Sequence, residues 1–196
     1  MNATACYFVS VMADENRVIA QGLRRRDPDL LDRLIEQHQH RLLRYLISLT
    51  GNRTTAEDFF QETWLRVLER GHQYDPRHEF CTWLFAVARH MVIDTFRRKQ
   101  PVSIDNTEND DDRPTEFASQ EPSAFDRAVQ QELSEVVAAG MEHLPFEYRE
   151  ALVLRFQEGM SLEEIAEVID APLGTVKSRI YRGLNALQPW VEGARA

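Results

Sequence analysis

A chain of 196 residues that is 43% hydrophobic can form one ordinary domain or two small ones, and it carries enough apolar surface to exclude a wholly disordered protein. Its 32 acidic against 23 basic residues give a net charge of −9, the wrong sign for a protein that holds nucleic acid by bulk charge alone. Cys6 and Cys81 lie far apart in neither a CxxC nor a Cys/His array, which argues for reduced thiols in a cytoplasmic setting and against a disulfide framework or metal site.

The opening MNATACYFVSVM is apolar but has no basic n-region and no small-residue cleavage site, and it is too short to span a bilayer. Neither a targeting signal nor membrane insertion is expected. Because MADENRVIAQGLRRRD already reads as a soluble N-terminus, residues 1–16 are expected to be a disordered extension, with Met12 as an alternative native start. From Asp29 to Thr50 the positions Leu31, Ile35, Leu42, Leu46 and Leu49, with His38 between them, predict a long amphipathic helix stopped by Gly51. His38 and His40 lack a third ligand nearby and are read as structural.

Thr54 with Glu57 forms a capping box that starts the next helix, which runs through AEDFFQETWLRVLER to a stop at Gly71. Phe60, Thr63, Trp64, Val67 and Leu68 make its buried face. Asp58, Gln61, Glu62 and Leu65 line a second, acidic and amide-rich face, for which an ordinary solvated surface is the simpler reading on periodicity alone. His72 to Glu79 has no periodicity and reads as a loop. FCTWLFAVARHMVIDTFRRKQ then resumes a helix with Phe80, Leu84, Val87, Met91 and Phe96 inward and a basic far end of Arg89, His90, Arg97, Arg98 and Lys99. Trp83 and Phe85 sit close by. Cations interleaved with rings suit unpaired DNA, since charge holds the backbone while rings stack on exposed bases. Core packing of both rings is the plainer alternative.

Pro101 to Pro122 carries seven acids against one arginine and almost no large apolar residue, so it cannot offset the entropy of ordering and reads as a linker. Helical periodicity returns at Phe125, Val129, Leu133, Val136, Val137, Met141 and Leu144, and LPFEYREALVLRFQEG adds a helix ending near Gly159. Ser161 with Glu164 then caps a helix with Leu162, Ile165, Ala166 and Ile169 on one face. Asp170, Ala171 and Pro172 interrupt it. A second helix from about Gly174 is expected to bury Val176, Ile180, Leu184 and Leu187, leaving Thr175, Lys177, Ser178, Arg179, Tyr181 and Arg182 on an outer arc with donors and no acid. That spacing is a helix-turn-helix. The fold expected is all-α: two small helical domains, 17–100 and 123–196, joined by an acidic flexible linker at 101–122. Without a phosphate loop, nucleophile elbow or convergent carboxylate pair, no catalytic residue, cofactor or metal ligand is expected.

AEDFFQETWLRV (Ala56 to Val67), FCTWLFAVARHMVIDTFRR (Phe80 to Arg98) and LPFEYREALVLRFQEGMSLEEIAEVIDAPLGTVKSRIYRGL (Leu144 to Leu184), in this order and split by an acidic linker, resemble bacterial sigma factors of the extracytoplasmic-function group. This is the compact two-domain branch of the sigma-seventy family. The resemblance implies a transcription initiation factor, not an enzyme, that takes core RNA polymerase to specific promoter DNA. It assigns Asp58, Gln61, Glu62 and Leu65 to the clamp helices of the polymerase beta-prime subunit, with the beta flap as a further contact. Trp83, Arg89, His90, Arg97 and Arg98 would engage the minus-ten element together with the 72–79 loop. Thr175, Lys177, Ser178, Arg179, Tyr181 and Arg182 would face the minus-thirty-five element, where a good bidentate base contact discriminates by roughly 1–3 kcal/mol. The linker resembles a segment that threads toward the RNA exit path, and an anti-sigma factor is an expected partner.

Two departures stand out. His90 replaces a frequent Asn, and Gly183 replaces a usual Ala at a helix-propensity cost of about 1 kcal/mol. The rival reading is a self-sufficient helix-turn-helix regulator that binds DNA without polymerase. With three cations on the second helix and a net charge of −9, its free affinity would be weak and salt-sensitive.

Overall fold

The computed structural model describes residues 3–99 and 136–193, with side chains from 14 to 96 and from 136 to 193. The expected linker, and Phe125, Val129 and Leu133 after it, lie outside the described residues. All regular structure among the described residues is helical. The helices are α1 (Ala3–Arg25), α2 (Pro28–Thr50), α3 (Arg53–Arg70), α4 (Phe80–Lys99), α5 (136–143), α6 (Phe146–Leu152), α7 (Leu162–Ile169) and α8 (Leu173–Gly193). None of them is long and apolar enough to cross a membrane. Two compact units are present, Met1–Val102 with Glu163–Asp170, and Ser103–Leu162 with Ala171–Ala196.

In the first unit, α1 begins at Ala3, so the residues expected as a disordered extension are helical from there on. A single stripe explains the helix: Asn16, Ile19, Ala20 and Leu23 recur at helical spacing and are all buried. At the corner into α2, Arg26 takes a left-handed conformation with φ 54. Asp27 then caps α2 by accepting from the N–H groups of Asp29 and Leu30 at 3.1 and 3.3 Å. The corner is tight. A β-carbon on Gly22 would stand 2.2 Å from Leu30 Cδ2, so only glycine lets α1 come down on α2 there. Gly51, at φ 65, ends α2 as expected, with its N–H on the Ile47 carbonyl at 2.9 Å.

The core of this unit lies among α2, α3 and α4. It holds Leu30, Leu34, Leu42, Tyr45, Leu46 and Leu49 of α2, Ala56, Trp64 and Val67 of α3, and Leu84, Phe85, Ala88, Met91 and Val92 of α4. Thr63 is buried among them because its hydroxyl donates to the Phe59 carbonyl at 2.6 Å and lies 3.9 Å from Met91 Sδ. Several expected positions differ. Leu30 and Leu34, rather than Leu31 and Ile35, face inward in the first half of α2, because α1 covers that side. Leu68 and Phe96 are exposed. Asn52, not Thr54, caps α3, accepting from Thr55 N at 2.9 Å, while Glu57 pairs with Arg53 at 2.8 Å. Gly71 does not end α3 in a left-handed turn: at φ −56 it continues into a short 3-10 turn, Gly71–Gln73. Its role is close approach, since a β-carbon would meet Leu23 Cβ of α1 at 3.0 Å.

In the second unit, α6 runs into a π turn, Val153–Gln157, closed by Glu158 N on Val153 O at 3.0 Å and followed by Gly159 at φ 69. Leu144, Leu152 and Leu187 form the core, with Met141 and Ile180 packed against them. Gly140 of α5 lets α8 approach, its missing β-carbon being replaced by Leu187 and Trp190 within 2.9–3.0 Å. Leu184, expected inside, is 42% exposed, and Gly183 takes the buried position beside Leu187 instead. Phe156, on the π turn, is 63% exposed.

Candidate functional site

Four surfaces follow from these elements. On α3, Ala56, Thr63, Trp64 and Val67 point inward, which leaves Asp58, Gln61, Glu62 and Leu65 together on the open side. All four are exposed, Leu65 by 54%, and Glu62 meets Arg66 one turn on at 3.5 Å. The face therefore joins two carboxylates, an amide and a bare aliphatic side chain, a composition suited to a basic protein surface.

The loop between α3 and α4 is held from inside by Tyr74, which sequence reasoning passed over. Tyr74 is buried, and its hydroxyl donates to the His78 carbonyl at 2.7 Å. Its ring packs edge-on against Phe80 at 5.6 Å and tilted against Trp83 at 5.4 Å, and Phe80 lies 5.8 Å from Trp83. Burial, with the Glu79 and Asp75 carboxylates nearby, pushes the Tyr74 phenol well above its usual range, so it stays a donor. Outside, the Arg77 guanidinium clasps the Asp75 carboxylate, whose other bond is from Arg77 N at 3.0 Å. These hydrogen bonds hold Asp75 down at about 2. An aromatic residue just before an Asp-Pro pair, in a stretch otherwise polar, is the signal that could have pointed to Tyr74.

His38 of α2 completes this cluster, its ring 5.4 Å from Phe80. Its Nδ1 is buried with no hydrogen-bond partner, and burial, then Arg41, lowers its pKa to about 4. The structural reading of His38 is correct, with the added point that it packs as a neutral ring. Trp83 is half-buried at the edge of the cluster. His90, seven residues on and so nearly in line with it along α4, is exposed, and Arg89 is half-buried. Phe85 is core, lying 4.8 Å from Tyr45 with Arg41 over its face at 5.9 Å. Arg97 and Arg98 fall in the last turns of α4, outside the described side chains.

The fourth surface is α8, reached from α7 through Asp170, which adopts φ 50. Of the outer arc, Lys177 and Tyr181 are exposed, one turn apart, while Thr175, Ser178, Arg179 and Arg182 are half-buried. Arg179 Nη1 is fully enclosed without a hydrogen-bond partner. No group of three or more potential metal ligands occurs among the described residues.

Residues 34–102 match the family model Sigma-70 region 2, and residues 134–187 match the model Sigma-70, region 4. Over 83% of the chain the sequence is 31% identical to the ECF RNA polymerase sigma factor SigW of Bacillus subtilis, 89% of which is covered. It is 35% identical over 82% of the chain to the ECF RNA polymerase sigma factor SigE of Mycolicibacterium smegmatis, of which it spans 61%. Its fold resembles CnrH, solved in complex with the cytosolic domain of CnrY, at TM-score 0.65 and 23% identity over 91% of this chain and 97% of that one. It also resembles the sigma factor RpoE of Bartonella quintana, solved with the anti-sigma factor NepR, at TM-score 0.61 and 21% identity over 82% and 96% of the two chains.

Proposed function

Because this chain belongs to the ECF RNA polymerase sigma factors, we propose that it binds bacterial core RNA polymerase and directs it to promoters whose minus-ten and minus-thirty-five elements it reads. The observation that carries this reading is the occurrence of both region models in order on one chain, with an acidic segment between them. In this reading residues 17–100 bind polymerase and open the minus-ten element, 101–122 link, and 123–196 read the minus-thirty-five element.

Asp58, Gln61, Glu62 and Leu65 are the polymerase-facing residues, the carboxylates meeting a basic coiled coil and Leu65 giving up its water on docking. Trp83, Arg89, His90, Arg97 and Arg98 engage the minus-ten strand. Extruding a base costs a few kcal/mol, which stacking at roughly 1–3 kcal/mol per base and backbone contacts offset, so melting needs no nucleotide hydrolysis. Thr175, Lys177, Ser178, Arg179, Tyr181 and Arg182 form the upstream reader, with Lys177 and Tyr181 the two that are already exposed. The protein is not an enzyme in its own right, it acts in the cytoplasm where core polymerase works, and an anti-sigma factor is its inhibitor.

Run-off transcription by core polymerase on a library of promoter-like DNA, with and without this protein, tests the proposal. New start sites that depend on the protein are expected. Absence of new starts, together with absence of core binding, would sink it.

A further inference from the structure

The same face of α1 touches both ends of the loop that joins α3 to α4. At the entry, Leu23 covers Gly71 so closely that a β-carbon there would lie 3.0 Å from Leu23 Cβ. At the exit, Asn16 Nδ2 donates to Glu79 Oε1 at 3.3 Å. Asn16 and Leu23 are seven residues apart, two helical turns, and so stand almost in line on one face of α1. Both are buried, Asn16 being only 6% exposed. A buried amide at the head of an otherwise apolar stripe has a specific use, and here its partner is the last residue of the loop.

Glu79 sits at a junction. Its backbone carbonyl accepts from Trp83 N at 3.1 Å, the bond that opens α4, while its side chain is the one Asn16 holds. Trp83 in turn packs against Tyr74 inside the loop. A change at Asn16 is therefore felt at the start of α4 and at the ring of Trp83, through one side chain and one turn of helix.

We propose that Asn16 is a positioning residue for minus-ten strand capture: by tethering Glu79 it fixes the loop exit and the first turn of α4, and with them the Trp83 ring. The proposal rests on the assignment of the loop and Trp83 to the minus-ten strand. Asn16 touches no DNA. Its effect is on how much of the time the loop and Trp83 are set for an unstacked base.

The test exchanges the polarity of the hydrogen bond. Asn16→Asp removes the donor and sets two carboxylates against each other. Asn16→Asp with Glu79→Gln restores a bond in the opposite sense, Gln Nε2 donating to the new carboxylate. Glu79→Gln alone keeps an acceptor for Asn16 and serves to separate tethering from charge. Holoenzymes assembled from full-length chains are titrated with a fluorescent single-stranded oligonucleotide of the non-template minus-ten sequence, from a promoter found by run-off transcription. Core affinity, thermal unfolding and amide exchange of the 72–79 loop are followed in parallel.

Asn16→Asp should weaken strand binding at least fivefold and speed loop exchange about tenfold at unchanged core affinity. The double variant should return both to within twofold of wild type, and Glu79→Gln, which keeps an acceptor for Asn16, should leave loop exchange within twofold of wild type. Wild-type strand binding by Asn16→Asp overturns the proposal, as does a double variant that regains thermal stability without regaining strand binding. Loop exchange in Glu79→Gln as fast as that in Asn16→Asp overturns it too, by making the charge of Glu79 the active element. If wild-type holoenzyme captures no strand, the minus-ten assignment itself fails. The exchange data then decide the tether: loop exchange in Asn16→Asp equal to wild type overturns it.

Discussion

Leu152 of α6 lies over Gly183 of α8, where a β-carbon on residue 183 would stand 2.9 Å from Leu152 Cδ1 and 3.0 Å from its Cγ. This explains a glycine in the middle of a helix that has to present a reading surface. Alanine would recover about 1 kcal/mol of helix propensity, whereas overpacking typically costs roughly 1–3 kcal/mol. Gly183→Ala should therefore destabilise the protein by about 1 kcal/mol, and in a Leu152→Ala background it should stabilise by a similar amount. Urea denaturation of the four proteins in the cycle reads this directly; the same sign in both backgrounds would show that the contact is not the reason for the glycine.

His38 should make stability depend on pH. Burial, then the Arg41 charge, lowers its folded-state pKa from 6.5 to about 4, so the unfolded chain takes up the proton first on acidification. The contribution is complete above pH 6.5 and is lost as pH falls toward 4. Discounted for partial exposure, it amounts to about 1–2 kcal/mol. The stability gap between the wild type and His38→Gln should shrink by that amount from pH 7.5 to pH 4.5. A gap independent of pH would mean that His38 titrates normally.

Charge reversal on the open side of α3 should separate binding from folding. The Glu62–Arg66 pair is solvent-exposed at 3.5 Å and contributes at most about 1 kcal/mol. Asp58→Arg with Glu62→Arg should thus leave helicity intact and the melting midpoint within a few degrees, yet abolish association with core polymerase in a pull-down or fluorescence titration. Unchanged core affinity would return this face to the status of ordinary solvated surface.

On α8, exposure divides the expected contacts into two kinds. Lys177→Ala and Tyr181→Ala should weaken minus-thirty-five-dependent transcription about tenfold, a loss of roughly 1.4 kcal/mol, without lowering thermal stability. Arg179→Ala should move both readouts, because Arg179 Nη1 is enclosed by the fold. Transcription from templates with and without the upstream element, alongside melting curves, distinguishes them; equal melting of all three variants would remove the distinction.

Helix existence was legible in the sequence because periodicity is a local property, and so was Gly51, whose left-handed φ belongs to the end of its own helix. What failed was choice among near-equivalent positions. Leu30–Leu31 and Leu34–Ile35 offer two apolar stripes, and only the arrival of α1 at Leu30 selects between them. Gly71 and Gly183 look like a stop and a weak point, yet both are places where another helix touches backbone. Asn52 caps α3 in place of Thr54. On the candidate surfaces, Asp58, Gln61, Glu62 and Leu65 are all exposed on α3, as their periodicity would have them, whereas Tyr74 and Asn16 escaped notice because their partners are near in space but were not predictable from spacing.

The π turn at Val153–Gln157 takes up more chain than an α-helical turn. In a regular helix Leu152 and Phe156, four residues apart, would lie about 40° from each other and share a buried face. Here Leu152 is core while Phe156 faces solvent.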